Sequence, residues 1–275
     1  MSDAPRKRGG RPRTRTHGDV AGDARDAPVR ALDRGLAILE VLADGSPLPL
    51  RDVAEATRLA PSTAHRLLDT LVRRGFVDLD ADRGRYAIGP RAFAVGSTFV
   101  RRGLHAAAQA PMSALRDALG ETVNLAVRDG DHAVYVHQEE GNRAVRLFTR
   151  VGARVPLHAS GVGKALLAWS EPALRDALLA RLSLVSCTPA TLTTPAALRA
   201  DLETSARRGY ALDIEEVEHG VRCAAAPVRD ARGVVAALSV SAPSDRFDDE
   251  RLRQVADALV AAADETSKRL GWVAG

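Results

Sequence analysis

The sequence predicts an α+β protein with an N-terminal winged helix-turn-helix, a linker helix and a C-terminal domain built on a mostly antiparallel sheet. Three observations carry that expectation. Residues 50–75, LRDVAEATRLAPSTAHRLLDTLVRRG, read as a short helix, a tight break from Arg58 to Pro61 and a longer amphipathic helix. In the second half, short alternating segments are interleaved with helical ones. The charge is divided unevenly: residues 1–103 hold 19 Lys and Arg against 13 Asp and Glu, whereas the remainder holds 20 against 22. With 275 residues, 45% of them hydrophobic, the chain can bury a substantial core and is expected to form more than one domain.

Residues 1–28 are rich in Arg, Gly, Pro, Asp and Thr, lack hydrophobic periodicity and are expected to be a disordered basic tail. The RGGRPR run has the chemistry to enter a narrow minor groove, but a flexible solubilising tail with incidental DNA affinity accounts for it more simply.

Residues 29–89 are expected to form the winged helix-turn-helix. From Val29 to Ala43, Leu32, Leu36, Leu39 and Leu42 recur at spacings of three and four, the stripe of an amphipathic helix, and Asp44-Gly45-Ser46-Pro47 stops it. A second helix, from Leu50 to Thr57, points Val53 and Ala54 inward. Pro61 suits the first turn of the next helix, where its missing N–H leaves no bond unmade and its ring holds φ near the helical value. On that helix, Pro61 to Arg74, Ala64, Leu67, Leu68, Leu71 and Val72 gather on one side and Ser62, Arg66, Asp69 and Arg73 on the other, at about 100° per residue. FVDLDADRGRYAIG then reads as two short strands around Asp82-Arg83-Gly84, a hairpin wing.

Residues 90–103 are expected to be the linker helix, in a helical connector that runs on to 119 with breaks at Gly103 and Pro111. Its Phe93, Gly96 and Val100 repeat at helical spacing, a face suited to packing on a second copy. Residues 104–275 form the C-terminal domain. TVNLAVRDGD and AVYVHQ read as a β-hairpin and VRLFTR, 145–150, as a third strand. Ser160 is an N-cap for a helix through Trp169, followed by helices at Pro172–Leu182 and Pro195–Arg208. Strands near 210–216, 222–229 and 233–241 precede a last helix, Asp248 to Leu270.

The candidate DNA contacts are Ser62, Thr63, His65 and Arg66 on the second helix of the motif, Arg73 at its end, and Arg83 and Arg85 on the wing. Hydroxyls can bind phosphates or base edges, and Arg can grip guanine bidentately. An ordinary charged hairpin is the alternative, and the basic charge confined to the front favours the groove reader.

In GVVAALSVSAP, Ser239 and Ser241 are expected to share a strand face with Ala237 and Val235, and Cys223 and Ala225 to share one on the preceding strand. If those faces coincide they form a mostly apolar pocket with a few directed polar groups; hydroxyls satisfied within the sheet are the alternative. Gly161, Gly163 and Lys164 fall short of a phosphate loop, because His158 stands where glycine is needed and Ala165 where Ser or Thr is needed. What survives is a small-residue loop entering a helix, whose N–H groups favour a carboxylate. His132 and His137, an odd number of positions apart on one strand, are expected on opposite faces and so not around a metal. No G-x-S-x-G elbow, triad, carboxylate pair or cofactor motif is found. Two cysteines make no disulfide framework, and neither a membrane-length apolar run nor a secretion signal is present, so the expectation is a cytoplasmic protein without cofactor or membrane partner.

Taken together, the motifs resemble those of the IclR family of bacterial transcription regulators. RALDRGLAILEVLA, LRDVAEATRLAPSTAHRLLDTLVRRGFV and RYAIGPRAFAVG look like that family's DNA-binding domain and linker, and RVPLHASGVGKALLA, RGYALDIEEVEHGVRCAAAPVRD and VVAALSVSAP like its effector-binding domain. The resemblance implies a GAF-like C-terminal domain and a homodimer able to pair into a tetramer. In members with small-acid effectors the ligand is held by backbone N–H groups of a Gly-Ala loop, an Asp, a Cys and two Ser, which match Gly152, Ala153, Asp213, Cys223, Ser239 and Ser241 here. Where the family often has glycine in the helix-turn-helix, this chain has Arg58, so either a positive φ strains it or the turn differs. The expectation is therefore a ligand-responsive regulator, read as a repressor, that binds double-stranded operator DNA and responds to a carboxylate or aromatic acid. The alternative is a small-acid enzyme with an incidental helical hairpin.

Overall fold

The computed structural model describes residues 29–43, 45–100, 103–141 and 149–273, so the expected basic tail at 1–28 lies outside the described residues. Those up to Ala92 form one compact unit and those from Phe93 another.

The first unit runs α1 (Arg30–Leu42), β1 (Leu48–Pro49), α2 (Leu50–Ala56), α3 (Pro61–Arg73), β2 (Val77–Asp80) and β3 (Arg85–Ile88). Its core is Ile38, Leu42, Val53, Leu68, Val77 and Tyr86. Leu39, Leu67, Leu71 and Val72 pack around that core, so the apolar side of α3 faces inward as its periodicity predicts. The stripe on α1 divides: Leu39 and Leu42 reach the core, whereas Leu32 and Leu36 are exposed, because the first turns of the helix extend past the small core. The wing gains a strand the sequence reading does not contain. Leu48 and Pro49 pair with Tyr86 and Arg85, giving the order β1-β3-β2. Two residues carry too short a pattern to read, and only the partner strand defines them.

The turn between α2 and α3 is a Schellman ending: Leu59 N–H donates to Ala54 O at 2.9 Å and Arg58 N–H to Glu55 O at 3.0 Å. This ending needs a left-handed residue, and Arg58 supplies it at φ +53°. The strain anticipated for a non-glycine residue there is present.

The second unit is a six-stranded, wholly antiparallel sheet between two helical layers. After α4 (Pro90–Val100), whose first three residues belong to the first unit, and α5 (Leu104–Leu119) come β4 (Thr122–Asp129), β5 (His132–Glu139) and β6 (Arg154–Pro156). Helices α6 (Gly161–Ala168), α7 (Pro172–Arg181) and α8 (Pro195–Arg208) follow, then β7 (Ala211–Ile214), β8 (Val221–Asp230), β9 (Gly233–Pro243) and α9 (Asp249–Arg269). The strand order is β6-β5-β4-β9-β8-β7. One face packs Leu125, Leu238 and Val240 against Met112 of α5 and Leu252, Val255 and Leu259 of α9. The other packs Ala126, Ala225 and Ala237 beneath Val162, Leu166 and Leu167 of α6, Leu178 of α7 and Leu198 and Leu202 of α8.

Several expectations change here. Pro111 lies buried inside α5 and does not interrupt it. Most of VRLFTR falls on 142–148, outside the described residues, and its last two, Thr149 and Arg150, are not in a strand. The strand beside β5 is instead β6, which pairs Arg154–Pro156 with His132–Val134. Two β-bulges reset the alternation. Leu125 pairs with His137 but Ala126 with Tyr135, so Val136 is an extra residue and His137 turns to the α5 side, the side that His132 shares with Val134 and Val136. The expected opposition of His132 and His137 is therefore undone. In β9 a second bulge leaves Val235 unpaired between Val234 and Ala236, so Val235 packs toward α9 and not with Ala237 and the serines.

Candidate functional site

On α3 the apolar side is fixed by Ala64 and Leu68, both at 0% exposure, and this turns Ser62, His65 and Arg66 to solvent, with Thr63 half-buried beside them. No hydrogen bond or ion pair holds the Arg66 guanidinium among the described residues, leaving its fork of N–H groups available. Arg73 is engaged, with Nη2 3.0 Å from Asp69 Oδ2 one turn back. On the wing, Asp80 Oδ1 accepts from the N–H groups of Asp82 and Arg83, each at 3.1 Å, and so shapes the tip that displays Arg83. Arg85 Nη1 donates to Pro47 O at 2.9 Å, which pins it toward β1. Arg66 is thus displayed outward without a partner and Arg83 outward with only a loose pairing, Nε 3.9 Å from Asp80 Oδ2, while Arg73 and Arg85 are held more closely.

In the second unit, strand register assembles two rows on the α6 face of the sheet. Asp213 pairs with Cys223, Cys223 with Ser241 and Ser241 with Thr122. One step along, Ala211, Ala225, Ser239, Asn124 and Gln138 form the parallel row. The expected coincidence of the Cys223 and Ser241 faces is what the sheet contains. Asp213, Cys223 and Ser241 line a cavity of about 70 Å³, together with Tyr135, Thr149, Ser160 and Gly161. Ser239 belongs to the adjacent row, and its fully buried Oγ has the Cys223 thiol as its neighbour and no hydrogen bond of ordinary geometry among the described residues. Asn124 and Gln138 extend the polar wall: Gln138 Nε2 donates to Asn124 Oδ1 at 2.8 Å and to Thr149 O at 2.6 Å.

Gly152 and Ala153 stand apart from this group. Gly152 N–H donates to Tyr135 O at 2.7 Å and Ala153 N–H to Arg150 O at 3.0 Å, so neither donor is free, and their loop reaches the cavity through Thr149 and Val155.

The cavity's remaining wall is the start of α6. Ser160 is its N-cap, accepting from Gly163 N–H at 3.1 Å, as the sequence predicts. Gly161 N–H makes no hydrogen bond among the described residues and sits at the cavity wall. The helix lies this close only because it begins with glycines. A β-carbon at Gly161 would stand 3.0 Å from Cys223 Sγ, and one at Gly163 would stand 2.4 Å from the Leu157 Cα and carbonyl oxygen. The failed phosphate loop is thus a packing motif.

Sequence reasoning misses one feature beneath this wall. Lys164, fully buried, places Nζ 2.5 Å from Glu216 Oε1 and 3.2 Å from Asp201 Oδ2. Its sign was in the sequence, a Lys among the small apolar residues of a buried helix, but its partners lie far along the chain. Asp213, 5% exposed, accepts at Oδ1 from Glu216 N–H at 2.7 Å and Val217 N–H at 3.4 Å. Burial outweighs those bonds and the Lys164 charge and pushes its carboxyl up to about 7. Burial likewise pushes the Cys223 thiol up to about 12, which leaves it an uncharged, inert lining group. Among the described residues no group of three or more His, Cys, Asp or Glu is placed to hold a metal ion, and no helix is long and apolar enough to cross a membrane.

Comparison with known proteins matches both units. Residues 97–268 fit the model of the bacterial transcriptional regulator IclR C-terminal domain, and residues 31–81 fit that of the IclR helix-turn-helix domain. The chain is 45% identical over 269 residues to the HTH-type transcriptional regulator BhcR of Paracoccus denitrificans, covering 97% of this chain and 95% of the relative. It is 38% identical over 276 residues to the transcriptional repressor IclR of Escherichia coli, covering 98% of each. Among solved structures, Thermotoga maritima IclR superposes with a TM-score of 0.73 at 30% identity, over 89% of this chain and 100% of that one. An IclR homologue from Microbacterium hydrocarbonoxydans, complexed with 4-hydroxybenzoate, gives 0.77 at 29% identity, over 88% and 99%.

Proposed function

The chain belongs to the IclR family of bacterial transcriptional regulators, and from that premise we propose that it is a cytoplasmic repressor whose affinity for operator DNA is set by a small acid bound in the cavity beneath α6. The relatives compared are regulators and not enzymes, in keeping with a cavity whose thiol is uncharged. The observation that carries the effector half is the cross-strand row Asp213–Cys223–Ser241 closed by the α6 N-terminus. Ser241 Oγ and the Gly161 N–H supply donors, Ser239 adds a buried hydroxyl beside the Cys223 thiol, and the helix end favours a carboxylate. Gly152 and Ala153 join such a site by exchanging their present hydrogen bonds for the ligand.

The size of the cavity narrows the effector class. By the same measure one water molecule needs about 10–15 Å³, so a cavity of about 70 Å³ holds an acid of a handful of heavy atoms. An aromatic acid such as the 4-hydroxybenzoate of the Microbacterium homologue requires the 149–155 loop to move outward. On the DNA side, Ser62, Thr63, His65 and Arg66 enter the major groove, Arg73 and Arg83 serve the phosphates and Arg85 steadies the wing. Two-fold pairing of copies suits a palindromic operator, and the outward Phe93 and Gly96 of α4 give that pairing an apolar face; the Val100 side chain lies outside the described residues.

The test is a reciprocal titration. Affinity for the DNA upstream of the protein's own gene is measured at fixed salt with and without acetate, glycolate, lactate, pyruvate and benzoate. An acid that weakens operator binding must itself bind more weakly, by the same factor, when operator is present. If no acid of this panel changes operator affinity, the assignment of the cavity to a small-acid effector is lost.

A further inference from the structure

An acid ligand meets an unfavourable charge balance in the cavity. Among the described residues no Lys, Arg or His lines it, whereas Asp213 and Glu218 both do. Behind Asp213 the charges are already matched: Lys164 on α6 lies between Glu216 and Asp201, and Arg208 on α8 is within electrostatic reach of both carboxylates. From the neighbouring strands, the Cys223 thiol of β8 and the Tyr135 phenol of β5, both uncharged, lie within electrostatic reach of Asp213. Two cations balance two carboxylates, which leaves Asp213, with Glu218 at the cavity wall, unmatched among the described residues. Its Oδ1 is held by two backbone N–H groups, while Oδ2 has no hydrogen bond among the described residues, in a side chain that lines the cavity. An ionised ligand beside an ionised Asp213 brings two like charges together in a poorly solvated site. Carboxylate pairs relieve that repulsion by sharing one proton. The α6 N-terminus by itself offers only about half a positive charge against them.

Building on the effector reading above, we propose that an acid effector binds together with one proton carried by Asp213, whose Oδ2–H then donates a hydrogen bond to the effector's carboxylate. Selectivity follows from this arrangement. The proton comes from solvent, the effector stays ionised, and the site reads a carboxylate and a proton as one unit. The unliganded Asp213 carboxyl already stands at about 7, so the proton is in place on the acid side of neutrality and must be taken up above it. Effector affinity is therefore full at low pH and falls as pH rises, by about tenfold per pH unit well above neutrality.

The experiment is calorimetric titration of the full chain with acetate, lactate and pyruvate between pH 6 and pH 9, all three acids being ionised throughout, in buffers of different ionisation enthalpy. The expected result is uptake of about one proton near pH 8 and a Kd that rises about tenfold per unit beyond it. The Asp213→Asn variant carries an amide that donates at every pH, so its Kd should change less than about twofold over the same range. An acid that binds wild-type protein with no proton uptake and a flat pH profile overturns the proposal while leaving the effector site standing. If none of the three binds at any pH, this proposal falls, and the effector reading is decided separately by the full panel of five acids.

Discussion

Arg66 concentrates the DNA-reading argument in one side chain. Helical periodicity places it opposite Ala64 and Leu68, and burial of those two turns it outward with no intramolecular partner among the described residues. A bidentate contact to a base predicts that Arg66→Ala weakens specific operator binding by about 1–3 kcal/mol, with nonspecific binding far less affected. Fluorescence anisotropy against operator and scrambled DNA at one salt concentration measures both, and an equal loss on the two DNAs would reassign Arg66 to a phosphate. Arg66 was legible in the sequence because its orientation depends on neighbours three and four residues away. Lys164 was not, because its chemistry is decided by Asp201 and Glu216, which only the fold brings to it. Without them, a fully buried ammonium would be prohibitively costly.

At the scale of elements, the start of α6 shows how a local motif acquires a meaning from what it touches. Ser160 as N-cap was readable from its position before an apolar run. That Gly161 and Gly163 exist for contact was not, since the atoms they make room for belong to Cys223 and to the backbone of Leu157. Gly163→Ala is expected to destabilise the chain by about 2–3 kcal/mol, because backbone, and not a flexible side chain, must give way. Urea unfolding compares it with Ser160→Ala, for which losing the cap predicts about 1 kcal/mol. The reverse ranking would mean that the helix start has slack. The same distinction governs the strands. Period-two alternation correctly joined Ser239 with Ser241 and Cys223 with Ala225, but it failed at His137 and Val235. A bulge inserts one residue without any local mark in the sequence and reverses every face beyond it.

At the scale of the whole molecule, Phe93 stands 78% exposed on α4 and Val95 54%, apolar surface of a kind that pairing of copies covers. Phe93→Asp is expected to shift the assembly toward monomer and to weaken operator binding at least tenfold at equal protein concentration, since each half-site then binds alone. Sedimentation velocity reads the first effect and anisotropy the second, and an unchanged mass would exclude this face from the interface. Two domains, the helix-turn-helix, its wing and the small-residue pocket face were all determined by the sequence itself, because each rests on periodicity, turn chemistry or charge within a few residues. Only the tertiary structure decided the pairing of β1 with the wing, the bulges, the burial of Lys164 and the isolation of the Asp213 carboxyl. Those depend on which distant atoms share a low-dielectric interior, and no local pattern records that.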